Sequence, residues 1–330
     1  MILLVTPHAP GSTSGNGVSA ARWAAILRGL GHRVETRADY GPPAGEYAAL
    51  FALHARKSAA AVRAFHADRP GVPIVIALTG TDLYPDPRAA GTDPEVLALA
   101  ARLIVLQRLG HDRLGPDLAA RARVIVQSVP EIPPRPPRAG CFEAAFLAHV
   151  RPVKDPLRPA AATRLLPADS RVLVTHAGEA RDRRLAERLA AESAANPRYD
   201  WLGPVPRDEA LAILARARLL VLPSLHEGGA NVVSEAIAAG VPVIASAVPG
   251  SIGLLGEDYP GYFPAGDAQA LAAAMYAAER NLGGYYDRLR EHCAALRPLV
   301  DPARERRAFA ALLAELGVRP TSSPNDNKEV

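Results

Sequence analysis

Cysteine is almost missing from these 330 residues. Cys141 and Cys293 are too few for a disulfide framework, and their spacing is not that of a metal cluster. So few thiols fit a reducing compartment, and we expect the protein to be cytoplasmic. Lysine is equally scarce: of 38 basic residues only Lys57, Lys154 and Lys328 are lysines. A lysine inside a motif therefore carries more information than an arginine. No apolar run approaches the roughly 18–20 residues needed to span a bilayer. The segment Met1–Pro7 lacks a basic leader and is stopped by Pro7, so it reads as a first strand and not as a secretory signal. No internal repeat of fixed period is visible. The net charge is +4, with acidic residues spread throughout, which excludes a nucleic-acid-binding stripe.

What is present is an ordinary globular mixture, 49% hydrophobic and 22% charged. The length predicts two domains. In the first half, apolar strand candidates at 1–6, 33–36, 48–54, 73–78, 102–106 and 124–126 alternate with helical stretches such as Val18–Leu30 and Ala55–Ala67. That alternation predicts βαβ units and a parallel sheet. Pro130–Pro137 reads as a stiff linker. A second αβ series follows, with strands at 146–149, 171–176, 199–202, 219–222 and 242–244. We therefore expect an α/β protein of two facing, doubly wound Rossmann-like domains with the active site in the cleft between them. The expected bounds are 1–137, with the helix 303–316 available to complete that domain, then 138–300, then a disordered tail 317–330 rich in Pro, Ser and Asn.

The most informative stretch runs from Ser224 to Ala236. A strand ends near Leu222, a turn holds Glu227, Gly228 and Gly229, and a helix opens at Ala230, Asn231 and Val232. Backbone N–H groups at a helix start favour an anion. Glu235 lies about one turn into that helix, within reach of a hydroxylated ligand. A second element, His149–Pro156, follows the first strand of the second domain. Its Arg151 and Lys154 flank a turn and can meet one diphosphate by charge-assisted bonds. Which of the two makes the main contact stays open. A third element is the small-residue loop Pro7–Val18. In it Gly15, Asn16 and Gly17 precede the first helix, and Asn16 either binds a phosphate or hydroxyl or caps the helix. Further strand ends carry His54, Thr81 and Asp82, then Gln107 and the pair Gln127-Ser128. His54 and Asp82 are acid–base candidates, or else a structural histidine and a turn cap. No cluster has metal-ligand spacing, so we expect no metal and no cofactor.

The two glutamates that bracket Gly228-Gly229, with seven residues between them, resemble the nucleotide-sugar site of the large GT-B glycosyltransferase family. The resemblance implies that Glu227 contacts the donor sugar and Glu235 the ribose hydroxyls. It also implies that backbone amides of Gly229–Val232 meet sugar and pyrophosphate, and that Arg151 and Lys154 stabilise the departing nucleoside diphosphate. Their three-residue spacing is shorter than the usual family form.

Longer phrases, Leu78–Tyr84, Glu227–Glu235 and Pro249–Pro264, are similar to the selenosugar synthases of selenoneine biosynthesis. This narrower resemblance runs over roughly residues 1–315. It implies a UDP-sugar donor, with UDP-N-acetylglucosamine foremost, and selenophosphate as acceptor. Gly15, Asn16, Gly17, His54, Thr81 and Asp82 would then stand on the acceptor and phosphate side. No basic amphipathic membrane helix is evident, so with no nucleic-acid stripe we expect neither a nucleic-acid partner nor stable membrane association. A conventional transferase with a hydroxyl or thiol acceptor, a non-catalytic sugar-nucleotide binder and a sugar-nucleotide epimerase are the alternatives. The sequence leaves open whether the anomeric centre inverts or is retained.

Overall fold

The structure, a computed structural model, describes residues 1–7, 12, 14–41 and 45–320. The chain divides into two compact units: Met1–Ser128 joined by the chain from Pro302, and Val129–Asp301. The Pro-rich stretch 130–137 is extended and counts with the second unit. Arg135 N–H donates to Ala215 O there (3.1 Å), and Ile132 is buried.

The first unit is built on six parallel strands: β1 (Ile2–Val5), β2 (Val34–Arg37), β3 (Ala49–Leu53), β4 (Ile74–Leu78), β5 (Arg102–Val105) and β6 (Ala122–Val124), in the order β2-β1-β3-β4-β5-β6. Helices cover both faces, so the central strands read as unbroken apolar runs and not as alternating patterns. Alternate residues still part to opposite faces. Leu3, Val5, Leu50 and Ile76 enter one core. Ile2, Leu4, Phe51 and Val75 enter the other, against Trp23 and Leu27 of the helix Gly15–Gly29 and Phe309 and Leu312 of the helix Pro302–Glu315. Gly317 and Val318, assigned by sequence to a disordered tail, instead close this last helix. Val318 N–H donates to Leu313 O (3.0 Å) and its side chain is buried in the same core. Ending the chain at Gly317 is therefore expected to cost about 1–2 kcal/mol of stability, the worth of one buried valine. Chemical denaturation of the shortened chain checks this. The tail residues 321–330 lie outside the described ones.

The second unit repeats the plan with β7 (Phe142–Leu147), β8 (Val172–Ala177), β9 (Tyr199–Trp201), β10 (Leu219–Leu222), β11 (Val243–Ser246) and β12 (Tyr262–Phe263), all parallel, in the order β12-β11-β10-β7-β8-β9. The chain steps outward from β7 to β9, then returns to the other side of β7 and steps outward to β12. Both units are thus doubly wound, Rossmann-like α/β folds, as the alternation predicts.

Several bounds differ from those read in sequence. β7 starts at Phe142 and not at Phe146, because Glu143 hides its first half. That carboxylate is 1% exposed inside the strand, where it accepts from Thr175 Oγ1 (2.7 Å) and Arg216 Nε (2.9 Å). β6 ends at Val124, where sequence started a strand. The first helix starts at Gly15 and not at Val18, because Ser14 accepts from Gly17 N–H (3.1 Å) and caps it. Gly15, Asn16 and Gly17 are consequently the first helical turn and not a loop, and the cap is Ser14, not Asn16. Pro7 and Ser12 of the expected loop are described; 8–11 and 13 lie outside the described residues.

Among the described residues no helix is long and apolar enough to cross a membrane. No group of three or more His, Cys, Asp or Glu is placed there to hold a metal ion.

Candidate functional site

The strand order of the second unit decides which loops meet. β7 and β10 are neighbours with opposite directions of winding, so the loops leaving their carboxyl ends diverge from one point. One loop carries Arg151 and Lys154, the other Glu227. Leu225 N–H donates to Val153 O (2.9 Å), which ties the two loops together. Lys154 Nζ donates to Glu227 Oε1, which also accepts from Ser224 Oγ (2.6 Å). Ser224 is itself held, its carbonyl accepting from Ser246 Oγ at the end of β11. The Glu227 side chain is only 8% exposed, and Lys154 is 23% exposed.

Glu227 is fixed from a second direction. A Cβ added to Gly250 would lie 2.0 Å from Glu227 O, so only glycine fits where the turn after β11 crosses this loop. Gly228 and Gly229 lead into the helix Asn231–Ala239, whose cap residue Ala230 has no side-chain acceptor to offer. Neither glycine has positive φ. Val232 is half-buried beside Asn231 on the first turn. One turn on, Glu235 is buried and accepts from Arg207 Nη2 (2.7 Å) through Oε1. The two glutamates are therefore used alike. In each, Oε1 is engaged by a cation, and Oε2 has no partner among the described residues. Arg151 stands exposed at the start of the turn Pro152–Lys154, and its side chain forms no bond among the described residues.

Arg207 was not read from sequence, and nothing there could have singled it out in so arginine-rich a chain. Ser224 and Gly250 were likewise passed over. Gly250 meets Glu227 from another loop, which no local pattern records, whereas Ser224 lies three residues from Glu227 in the quoted stretch and was given no role.

In the first unit the winding reverses between β1 and β3. Thr6 follows β1 and His54 follows β3. His54 is 3% exposed with left-handed backbone, φ 69°, uncommon outside glycine. Its Nε2 lies 3.0 Å from Thr81 Oγ1. Burial lowers its pKa, against the opposing pull of Asp82, so the ring is neutral at neutral pH. Asp82 is a staple in place of a free acid–base group. Its Oδ1 accepts from Thr79 and Gly80 N–H (2.9 and 2.8 Å) and its Oδ2 from Ala55 N–H (2.9 Å). Three buried polar atoms along this edge have no hydrogen-bond partner: Thr6 Oγ1, His54 Nδ1 and Gln107 Oε1. Buried orphans of this kind are rare. Gln127 and Ser128, read as further members of the site, are instead structural. Both are buried, and they bond to Arg22 and Glu305.

Comparison with known proteins bears on the second unit first. Residues 136–294 match the family model "Glycosyl transferases group 1". A curated relative, D-inositol 3-phosphate glycosyltransferase of Salinispora tropica, is 34% identical over 142 residues. That stretch is 40% of this chain and 28% of the relative, so the likeness spans under a third of that protein's length. Among solved structures, Anabaena HepE in complex with UDP and glucose superposes with a TM-score of 0.74 at 16% identity, over 95% of this chain and 99% of that one. Sucrose-phosphate synthase of Thermosynechococcus elongatus superposes with a TM-score of 0.72 at 18% identity, over 96% and 98%. These structural likenesses show the fold, the two-domain α/β architecture of GT-B proteins. The stretch that matches the glycosyl transferases group 1 model takes in nearly the whole of the second unit, with Glu227, Glu235 and Lys154 inside it.

Proposed function

We propose that the protein is a glycosyltransferase that moves a sugar from a UDP-sugar, and that its acceptor is selenophosphate. The observation that carries the transferase reading is the reversal point of the second sheet. It couples Lys154 to Glu227 and sets both beside a helix start whose cap offers no acceptor. Arg151 and Lys154 meet the diphosphate, which needs no metal if two cations and helix N–H groups take its charge. Glu227 Oε2 and Glu235 Oε2 accept from sugar and ribose hydroxyls respectively. Anabaena HepE was solved with UDP, which favours uridine as the base.

The acceptor assignment rests on the resemblance of Leu78–Tyr84 and Pro249–Pro264 to the selenosugar synthases. Gly15, Asn16, Gly17, His54, Thr81 and Asp82 frame the first unit's carboxyl edge, where the orphaned polar atoms lie. Selenium bonds to the anomeric carbon as the bond from that carbon to UDP oxygen breaks. Hydrolysis of the selenium–phosphorus bond then leaves a 1-selenosugar and phosphate, water supplying the oxygen that bonds to phosphorus and the proton available to selenium. Selenium is already ionised, so no strong base is required. One observation favours a hydroxyl acceptor instead: a buried, neutral His54, whose Nδ1 has no hydrogen-bond partner and lies 3.6 Å from Asp82 Oδ2, can take a proton.

Mass spectrometry of products from UDP-N-acetylglucosamine with selenophosphate, thiophosphate or no acceptor separates these readings. A selenium-bearing sugar with equal release of UDP is the expected result, and it survives His54→Ala. UDP-sugar bound but unconsumed with selenophosphate would overturn the acceptor assignment.

A further inference from the structure

The second unit buries a histidine that the reaction above does not use. His176, near the end of β8, is fully buried and stacks on Phe146 of β7, ring centroids 4.3 Å apart. Its Nε2 lies 2.9 Å from Ala148 O. A carbonyl can only accept, so Nε2 carries the proton and Nδ1 is a bare acceptor. Tyr199 OH fills it from β9 at 2.6 Å. Burial pulls the His176 pKa down to about 4, which keeps this one neutral tautomer at working pH.

The two partners lead to opposite ends of one loop. Ala148 is the first residue after β7. Tyr199, its one proton given to His176, packs with its oxygen 3.4 Å from Pro156 O, where that loop passes into the helix Leu157–Arg164. Between these anchors run Arg151, the turn Pro152–Lys154, and Asp155 with left-handed backbone, φ 44°. The near end is pinned further. Val150 N–H donates to Glu179 O (2.9 Å), and Arg181 N–H donates back to Val150 O (3.1 Å). A Cβ on Gly178 would lie 1.8 Å from Ala148 O, so the carbonyl that His176 holds is pressed directly onto the β8 turn.

We infer that His176 and Tyr199 form a brace that sets the position of the loop carrying Arg151 and Lys154, and so act as positioning residues for the leaving diphosphate. The inference rests on the proposed function above, since only there does the position of those cations matter. The brace touches no substrate. It acts by fixing where two positive charges stand when the bond to UDP breaks, and charge stabilisation of this kind loses effect over displacements of about 1 Å.

Three variants test it at 25 °C, with calorimetric titration of UDP beside turnover. His176→Leu keeps the volume and loses both bonds; His176→Gln restores a donor toward Ala148 O; Tyr199→Phe removes one oxygen. His176→Leu is expected to lower kcat at least tenfold with KM for the UDP-sugar within about threefold. His176→Gln should recover most of that loss, and Tyr199→Phe should fall between. A purely structural role would lower the melting temperature and leave kcat of the folded protein untouched; that result, in His176→Leu or in Tyr199→Phe if the leucine variant does not fold, overturns the brace. Wild-type protein that neither binds UDP nor turns over would instead overturn the function on which it rests.

Discussion

Lys154→Ala is expected to lower kcat by about 10²–10³-fold, the usual cost of removing one preorganised charge from a site of developing negative charge. Lys154 is the one lysine of the second unit, and it already stands bonded to a nearly buried carboxylate at the sheet's reversal point. On the proposed function, the oxygens of an arriving diphosphate would compete with Glu227 for the ammonium while Ser224 continues to hold Glu227 Oε1. Removing the lysine thus removes the charge that follows the leaving group and leaves the glutamate in place. Glu227→Gln tests the other half. It keeps the shape, weakens the pull on Lys154 and blunts acceptance of sugar hydroxyls, with a loss of similar size. Lys154→Arg should not rescue, because a planar fork cannot replace a compact charge at the same point. Stability should fall by only about 1–2 kcal/mol in either variant, since Lys154 is partly exposed. Single-turnover UDP release, read beside thermal unfolding, measures both effects. Wild-type turnover in both variants would remove Lys154 and Glu227 from the chemistry.

Much of this architecture was legible before any coordinate. Parallel strands buried on both faces announce themselves as short apolar runs, and eleven of the twelve strands were located wholly or partly that way. β12 has two residues, too few to make a pattern. β7 was cut short because Glu143 interrupts its apolar run, and the partner Arg216 that lets it be buried is distant in sequence. The glutamate pair was legible because its chemistry and its spacing sit in one segment. Arg207 and Gly250 were not, because each acts on a glutamate from another element. His54, Thr81 and Asp82 were correctly placed at strand ends, yet sequence could not distinguish a working carboxylate from one already occupied. Asp82 spends its oxygens on three backbone N–H groups, and that is visible only in three dimensions.

The largest loss of stability is expected from Glu305→Ala, about 3–5 kcal/mol, a substantial part of the 5–15 kcal/mol that holds a typical domain. Glu305 lies on the first turn of the helix Pro302–Glu315 and is 1% exposed. It accepts from Arg22 Nε (3.0 Å), Trp23 Nε1 (2.9 Å), Ser128 N–H (2.9 Å) and Ser128 Oγ. One carboxylate thus joins the first helix, the end of the first unit's continuous stretch and the returning C-terminal helix. Alanine would leave the Trp23 indole N–H and the Ser128 backbone N–H without this acceptor in a site largely closed to water, each with its own desolvation cost, and would take its carboxylate from Arg22, which keeps only its bond to Gln127 among those named here. Glu305→Gln should recover less than half, because its NH₂ group must face donors. The two units need not unfold together, so a single transition cannot be assumed. Each unit contains one tryptophan, Trp23 in the first and Trp201 in the second. In a Trp201→Phe background, fluorescence reports the first unit alone. Its urea midpoint should drop sharply with Glu305→Ala while the slope stays constant. An unchanged midpoint would mean that the apolar contact of Phe309 and Leu312 with Trp23 and Leu27 holds the helix without the carboxylate.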